Sequence, residues 1–190
     1  MVRAGCLAHA RRKFYDVIKV DPHNAAAADV LTRIAALYKI EAEARGAHAT
    51  DAERLALRKE KSAPLFNALK TRIEEIAATA LPASLLGQAC QYALNQWPRL
   101  AVFLEHGCVE IDQNLCENSM RPVALGRKNW LQIGSEEAGP KIAAILSVIE
   151  TCKRNDVPLR KYLNEVLPKL PDWPINQVAA LSPLNWKPPP

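Results

Sequence analysis

The stretch Asp112-Gln-Asn-Leu-Cys-Glu117-Asn-Ser-Met-Arg121-Pro-Val-Ala-Leu-Gly126-Arg127-Lys128-Asn-Trp130 decides how the rest of the chain is read. It sets one carboxylate, Glu117, on a short helical run and follows it with Arg121, Arg127 and Lys128. An acid beside a cationic and aromatic cluster fits chemistry on a phosphate backbone, because Arg and Lys make most phosphate contacts. Metal-assisted phosphoryl transfer gathers several carboxylates, however, and this segment supplies few. From spacing alone, the plainer reading of Glu117 is a solvated helix acid with Arg121 at i+4. Asp112 likewise reads most simply as the turn or cap residue before the helix.

Outward from that stretch, composition narrows the options. The chain has 190 residues, 49% of them hydrophobic, enough for one domain, with or without an appendage, and a buried core. Lys and Arg number 25 against 20 acids, a net charge of +5 that permits nucleic acid as a partner without demanding it. The charge is clustered: five cations and only Asp16 lie between Arg3 and Lys19, and three cations and no acid lie between Arg121 and Lys128. No apolar run reaches the length of a membrane span, and no long apolar stretch near Met1 suggests a signal peptide. The expected location is therefore cytoplasmic, with no membrane partner. Five scattered cysteines without a Cys-x-x-Cys spacing read as reduced thiols.

The periodicity is helical almost throughout. Ala10, Phe14 and Val17 or Ile18 recur at helical spacing until Asp21-Pro22. Asn24 is placed to cap a second helix with Val30, Ile34, Leu37 and Glu41 on one face, ending at Gly46. Thr50-Asp-Ala-Glu53 is a capping box. The helix it opens carries Leu55, Ser62, Leu65, Leu69, Ile73 and Ile76 on one stripe, with a kink expected at Pro64. Ser84 caps a fourth helix, which Pro98 is expected to restart as a short one ending near Gly107. Two pieces look extended, Val109–Ile111 and Trp130–Ile133. Ser135 precedes a helix with Ile142, Ile145, Ile149 and Cys152 inward, and Asp156 one with Leu159, Leu163 and Val166 inward. The proline-rich tail from Pro168 is expected to lie along the surface, pinned by Trp173 and Trp186.

Other candidate sites have two readings each. Cys6-x-x-His9 could begin a zinc site completed by His106 and Cys108, although the two halves are far apart and irregular. Arg11, Arg12 and Lys13 could contact a DNA backbone or form a solvated helix face. Arg127-Lys128-Asn129-Trp130 adds an amide and a stacking ring to its cations, but Trp130 could equally be core.

Several ordered motifs together resemble one family. Gly5-Cys-Leu-Ala-His-Ala-Arg-Arg-Lys-Phe14, Tyr92-Ala-Leu-Asn-Gln-Trp97, Asp112–Glu117, Arg121–Leu131, Ile149-Glu-Thr151 and Leu184-Asn-Trp-Lys-Pro188 are similar to blocks of the insertion-sequence-66 transposases. The resemblance covers nearly the whole chain. It implies a DDE-type enzyme with an RNase H-like core, in which three carboxylates hold two Mg²⁺ (or Mn²⁺) ions that drive DNA cleavage and strand transfer. Glu117 corresponds to the third carboxylate, a catalytic and metal-binding position. The first two, both aspartates on strands, lie upstream of the Cys-x-x-His block in the family. His9 would stand close to the reacting phosphate or serve packing. The family usually has Asn and Arg where this chain has Gln113 and Asn118.

The expected fold is therefore mainly α: a helical insertion plus the C-terminal part of an RNase H-like α/β core, with one or two short strands. Residues 1–20 would end a core strand and form the following helix, 21–108 the helical insertion, 109–155 the helix with the last acid and the basic segment, and 156–190 a C-terminal helix and tail. The expected function is that of a C-terminal transposase fragment, inactive alone and binding no metal alone. Its partners would be transposon-end DNA, through Arg11, Arg12, Lys13, Arg121, Arg127, Lys128 and Trp130, and further copies of itself or an upstream transposase fragment. The alternative is a non-enzymatic helical protein that binds DNA or a transposase.

Overall fold

A computed structural model describes residues 3–130 and 133–187, the side chains of 128 and 130 excepted. Every regular element among the described residues is helical. The chain forms two compact units, Met1–Cys116 and Glu117–Pro190.

In the first unit, α1 (Leu7–Val20) buries Leu7, Ala10, Phe14 and Val17, and ends where Asp21 leaves helical geometry before Pro22. α2 (Ala25–Gly46) starts at Asn24, whose side chain accepts the Ala27 N–H at 3.0 Å. It buries Val30, Ile34 and Leu37 and, on the same face, Glu41. The capping box forms as expected: Thr50 Oγ1 accepts the Glu53 N–H, and the Glu53 carboxylate accepts the Thr50 N–H at 2.8 Å. It opens α3 (Asp51–Leu57), which passes through a π turn at Arg58–Ser62 into α4 (Ala63–Thr79).

In that π turn the Ala63 N–H reaches back five residues to the Arg58 carbonyl. The expected stripe holds at Ser62, Leu69, Ile73 and Ile76, all buried, but Phe66 rather than Leu65 fills the position between Ser62 and Leu69; Leu65 is exposed. Pro64 sits in the first turn of α4, directly after the π turn. α5 (Leu85–Leu100), capped by Ser84, continues through Pro98 as one helix instead of restarting there, with Trp97 and Leu100 buried on either side of it. A 3₁₀ turn, Ala101–Leu104, follows. α1, α2, α4 and α5 surround one core in which the Phe66 ring stacks on Trp97 at 4.3 Å between centroids and meets Phe103 edge-on at 5.5 Å.

The expected strand at Val109–Ile111 does not form; its backbone serves the N-terminal segment instead, the Leu7 N–H donating to the Ile111 carbonyl at 3.1 Å. Nor does Trp130 open a strand: it ends α6 (Asn114–Trp130), residues 131 and 132 lie outside the described residues, and Ile133 is exposed.

The second unit holds most of α6, then α7 (Ala138–Arg154) and α8 (Leu159–Val166). Ser135 Oγ accepts the Ala138 N–H at 3.3 Å before α7. Of the α7 residues expected inward, only Cys152 is buried, and Ile145 is exposed. On α8 the inward residues are Tyr162 and Val166, with Leu159 and Leu163 half-buried beside them. The tail makes two 3₁₀ turns, Leu170–Asp172 and Ile175–Leu181, and its tryptophans do pin it. Trp186 Nε1 donates to Glu165 at 3.1 Å with its ring edge-on to Tyr162, and Trp173 Nε1 donates to the Gln177 carbonyl at 3.1 Å.

Candidate nucleic-acid interface and the Glu117 helix

The segment that leads into α6 is held by a buried cation. Arg58 and Glu41 are both buried, and the π turn aims the guanidinium inward. Nε and Nη2 donate to the two Glu41 carboxylate oxygens, each at 2.7 Å. Nη1 donates to the carbonyls of Phe103, His106 and Val109 at 2.8–2.9 Å. One charged fork thus gathers carbonyls from the 3₁₀ turn and from the irregular loop after it. Gly107 is required there, since a Cβ would lie 1.9 Å from the Asp51 carbonyl oxygen. Arg54 reinforces the loop through Glu110 at 2.7 Å.

The end of the loop is stitched to the N-terminal segment. Gly5 N–H donates to the Arg99 carbonyl at 2.8 Å, Gln113 Nε2 to the Ala4 carbonyl at 2.9 Å, and the Gln113 N–H to Cys6 Sγ at 3.4 Å. Gln113 therefore has a structural task. Asp112 Oδ1 accepts the Asn114 N–H at 3.2 Å, which bears out its reading as the turn residue before the helix. Burial first, and then the nearby Asp112 carboxylate, raise the Tyr38 hydroxyl above its ordinary range.

The candidate site residues fall in both units. In the first, His9 is half-buried on α1, and Arg11, Arg12 and Lys13 are exposed beyond it. Lys13 Nζ lies 5.7 Å from the centre of the Tyr92 ring on α5. His106 and Cys108 are exposed, and among the described residues they do not gather with Cys6 and His9 as metal ligands. In the second unit, Glu117, Arg121 and Arg127 are exposed along α6. The side chains of Lys128 and Trp130 lie outside the described residues. Arg154, at the end of α7, donates to the Ser119 hydroxyl on α6.

This donor set does not amount to a two-metal centre. Glu117 brings one carboxylate, and Asp112 is occupied as a turn acceptor close to Tyr38. Mg²⁺ requires near-octahedral oxygen coordination, with one or two carboxylates for each ion. Glu117 is an exposed acid on α6, followed there by the exposed cations Arg121 and Arg127.

Sequence reading missed the Arg58–Glu41 pair and the Tyr38–Asp112 contact. A signal for the first was present, since an acid standing on the apolar stripe of α2 calls for a buried partner.

Comparison with known proteins gives this arrangement a class. Residues 1–141 match the family described as Transposase IS66 family, and residues 147–184 the one described as IS66 C-terminal element. The class is thus transposase-related, and the chain belongs to the IS66 transposase family. Similar curated proteins come from Sinorhizobium fredii (strain NBRC 101917 / NGR234). "Uncharacterized protein y4jD" is 37% identical over 186 residues, covering 97% of this chain and 36% of that protein. "Uncharacterized protein y4hP" is 34% identical over 195 residues, covering 97% and 35%. The chain spans about a third of the length of these relatives. No solved structure matches.

Proposed function

We propose that the chain acts in DNA transposition as the C-terminal part of a DDE transposase with an RNase H-like core, Glu117 being the last of the three metal-binding carboxylates. The observation that carries this reading is the family match across residues 1–141, which includes an α6 with Glu117 exposed ahead of Arg121 and Arg127. In the complete enzyme Mg²⁺ or Mn²⁺ supplies activation of the attacking oxygen and neutralisation of phosphate charge. This chain's own residues contribute differently. Glu117 offers one ligand position, and His9 is a polar group for the reacting phosphate. Arg11, Arg12, Lys13, Arg121, Arg127, Lys128 and Trp130 hold DNA by charge and stacking. Further copies of the chain, or an upstream transposase fragment, are its protein partners, and it works at the nucleoid in the cytoplasm. No helix among the described residues is long and apolar enough to cross a membrane.

On its own, this polypeptide binds DNA without cutting it, a second reading favoured by the single carboxylate that Glu117 brings to α6. The test is incubation of the purified chain with a plasmid carrying the element's ends, in Mg²⁺ or Mn²⁺. Salt-sensitive binding with no nicking or joining is expected. Metal-dependent strand transfer by the chain alone, abolished by Glu117→Gln, would overturn the second reading. Affinity unchanged by Arg127→Ala with Lys128→Ala, or by moderate salt, would count against the DNA contacts.

A further inference from the structure

Charge is sorted among the four core helices of the first unit. α1 carries four cations and one acid, Asp16, which is paired with Lys19 at 3.2 Å. α5 carries one cation, Arg99, and no acid. By contrast, α2 carries three charges of each sign and α4 two of each. The excess positive charge therefore lies on α1 and α5, which are among the helix pairs that pack together.

The exposed side chains of α5 form one stripe. Gln88, Gln91, Asn95 and Arg99 recur every three or four residues, all exposed, opposite the buried Ala89, Cys90, Ala93, Trp97 and Leu100. Gln91 Nε2 donates to Asn95 Oδ1 at 2.8 Å, so neighbouring amides are already oriented along the helix. The stripe meets the basic face of α1 where Lys13 lies over the Tyr92 ring. Cations, uncharged amides and aromatic rings, without an unpaired carboxylate, make up the side-chain set that contacts phosphate and sugar in protein–DNA interfaces.

We propose that α1 and α5 together form a seat for the backbone of duplex DNA, with Gln91, Asn95 and Arg99 of α5 as contacts beside Arg11, Arg12 and Lys13. The proposal rests on the DNA-binding reading above and extends it to a second helix. The amides carry no charge and the cations supply the phosphate contacts, so affinity for the backbone falls with salt.

The test uses the whole chain and a fluorescent duplex of mixed sequence, read by anisotropy at low and moderate salt. Gln91→Glu with Asn95→Asp keeps the shape of the stripe and adds two negative charges. It is expected to weaken binding by about tenfold or more, since like charges across an interface are strongly unfavourable. Arg99→Gln is expected to weaken it less and to flatten the salt dependence. Lys70→Glu on α4, an equal change of charge away from the seat, is expected to leave affinity within about twofold. Circular dichroism checks that each variant keeps its helices. If the unaltered chain does not bind the duplex, the DNA-binding reading fails and this inference with it. If the chain binds, and loses affinity with Arg127→Ala and Lys128→Ala but not with the α5 variants, only this inference is overturned. Competition by polyglutamate as effective as by unlabelled duplex would identify an acidic protein as the partner and also overturn it.

Discussion

The two units treat their apolar residues differently. In the first, four helices enclose Phe14, Phe66, Leu69 and Ile73 almost completely, and even the charged pair Arg58–Glu41 is excluded from water. In the second, the buried cluster among the described residues is Cys152, Tyr162, Val166 and Leu181, while Ile145, Leu167, Leu170, Val178 and Leu184 remain exposed. An apolar cleft of about 560 Å³ opens beside α7 and α8, lined by residues such as Ile145, Val148, Leu163 and Leu170. Burial drives folding roughly in proportion to the apolar area removed from water, so the first unit should hold most of the stability of the chain.

The largest effect expected is at Arg58. Arg58→Met leaves Glu41 buried without a partner and takes the guanidinium from the Phe103, His106 and Val109 carbonyls, which should cost about 3–5 kcal/mol. Adding Glu41→Leu removes the stranded charge and should recover part of that loss, as urea denaturation of the single and double variants would show. A sharper comparison uses one kind of truncation in both units. Phe66→Ala removes a ring packed against Trp97 and Phe103 and should cost about 3–5 kcal/mol. Ile145→Ala, at a position 60% exposed, should stay within about 0.5 kcal/mol. Equal losses would mean that the units do not differ in this way.

Much of the first unit was legible because its signals are local. Asn24, Thr50 with Glu53, and Ser84 announce helix starts within four residues, and the apolar spacing of α1 and α2 is continuous. What could not be read depends on residues distant in sequence. The π turn accompanies the burial of Arg58 against Glu41, 17 residues earlier, and Phe66 takes the core position expected of Leu65. Pro98 was expected to interrupt α5, yet the helix continues through it, with Trp97 and Leu100 buried on either side. Val109–Ile111 has the composition of a strand but lies under the Arg58 fork, with its Ile111 carbonyl taken by Leu7. At the candidate site, Glu117 on a helix followed by cations was visible in the sequence. The tie from Gln113 to Ala4 and the approach of Tyr38 to Asp112 required the fold.

In the second unit a smaller, separate effect is expected at Tyr162, whose hydroxyl donates to the Leu181 carbonyl at 2.8 Å in a buried setting. Tyr162→Phe leaves that carbonyl unpaired and should cost about 1 kcal/mol. Because the bond joins α8 to the tail, hydrogen exchange should rise around residues 159–186 and stay unchanged in α2 and α4. Faster exchange in α4 would show that the two units do not open separately.

The smallest effect lies on the surface of the first unit and depends on pH. The Arg72 guanidinium, hydrogen-bonded to Asp29 at 2.7 Å, holds the Asp29 carboxyl below its ordinary value of 3.8, with Arg33 adding to the effect. A carboxyl whose pKa is lower folded than unfolded stabilises the protein while ionised. That contribution is complete above the unfolded value and is lost as pH falls from about 4 through the folded value. Since Asp29 and Arg72 are each about one-third exposed, solvent screens the pair and the contribution is small. Arg72→Met should therefore lower the urea midpoint slightly at about pH 6 and hardly at all near pH 2, where the carboxyl is largely protonated in both proteins. An equal loss at both pH values would assign the effect of Arg72 to packing of its stem across α2 and α4 rather than to charge.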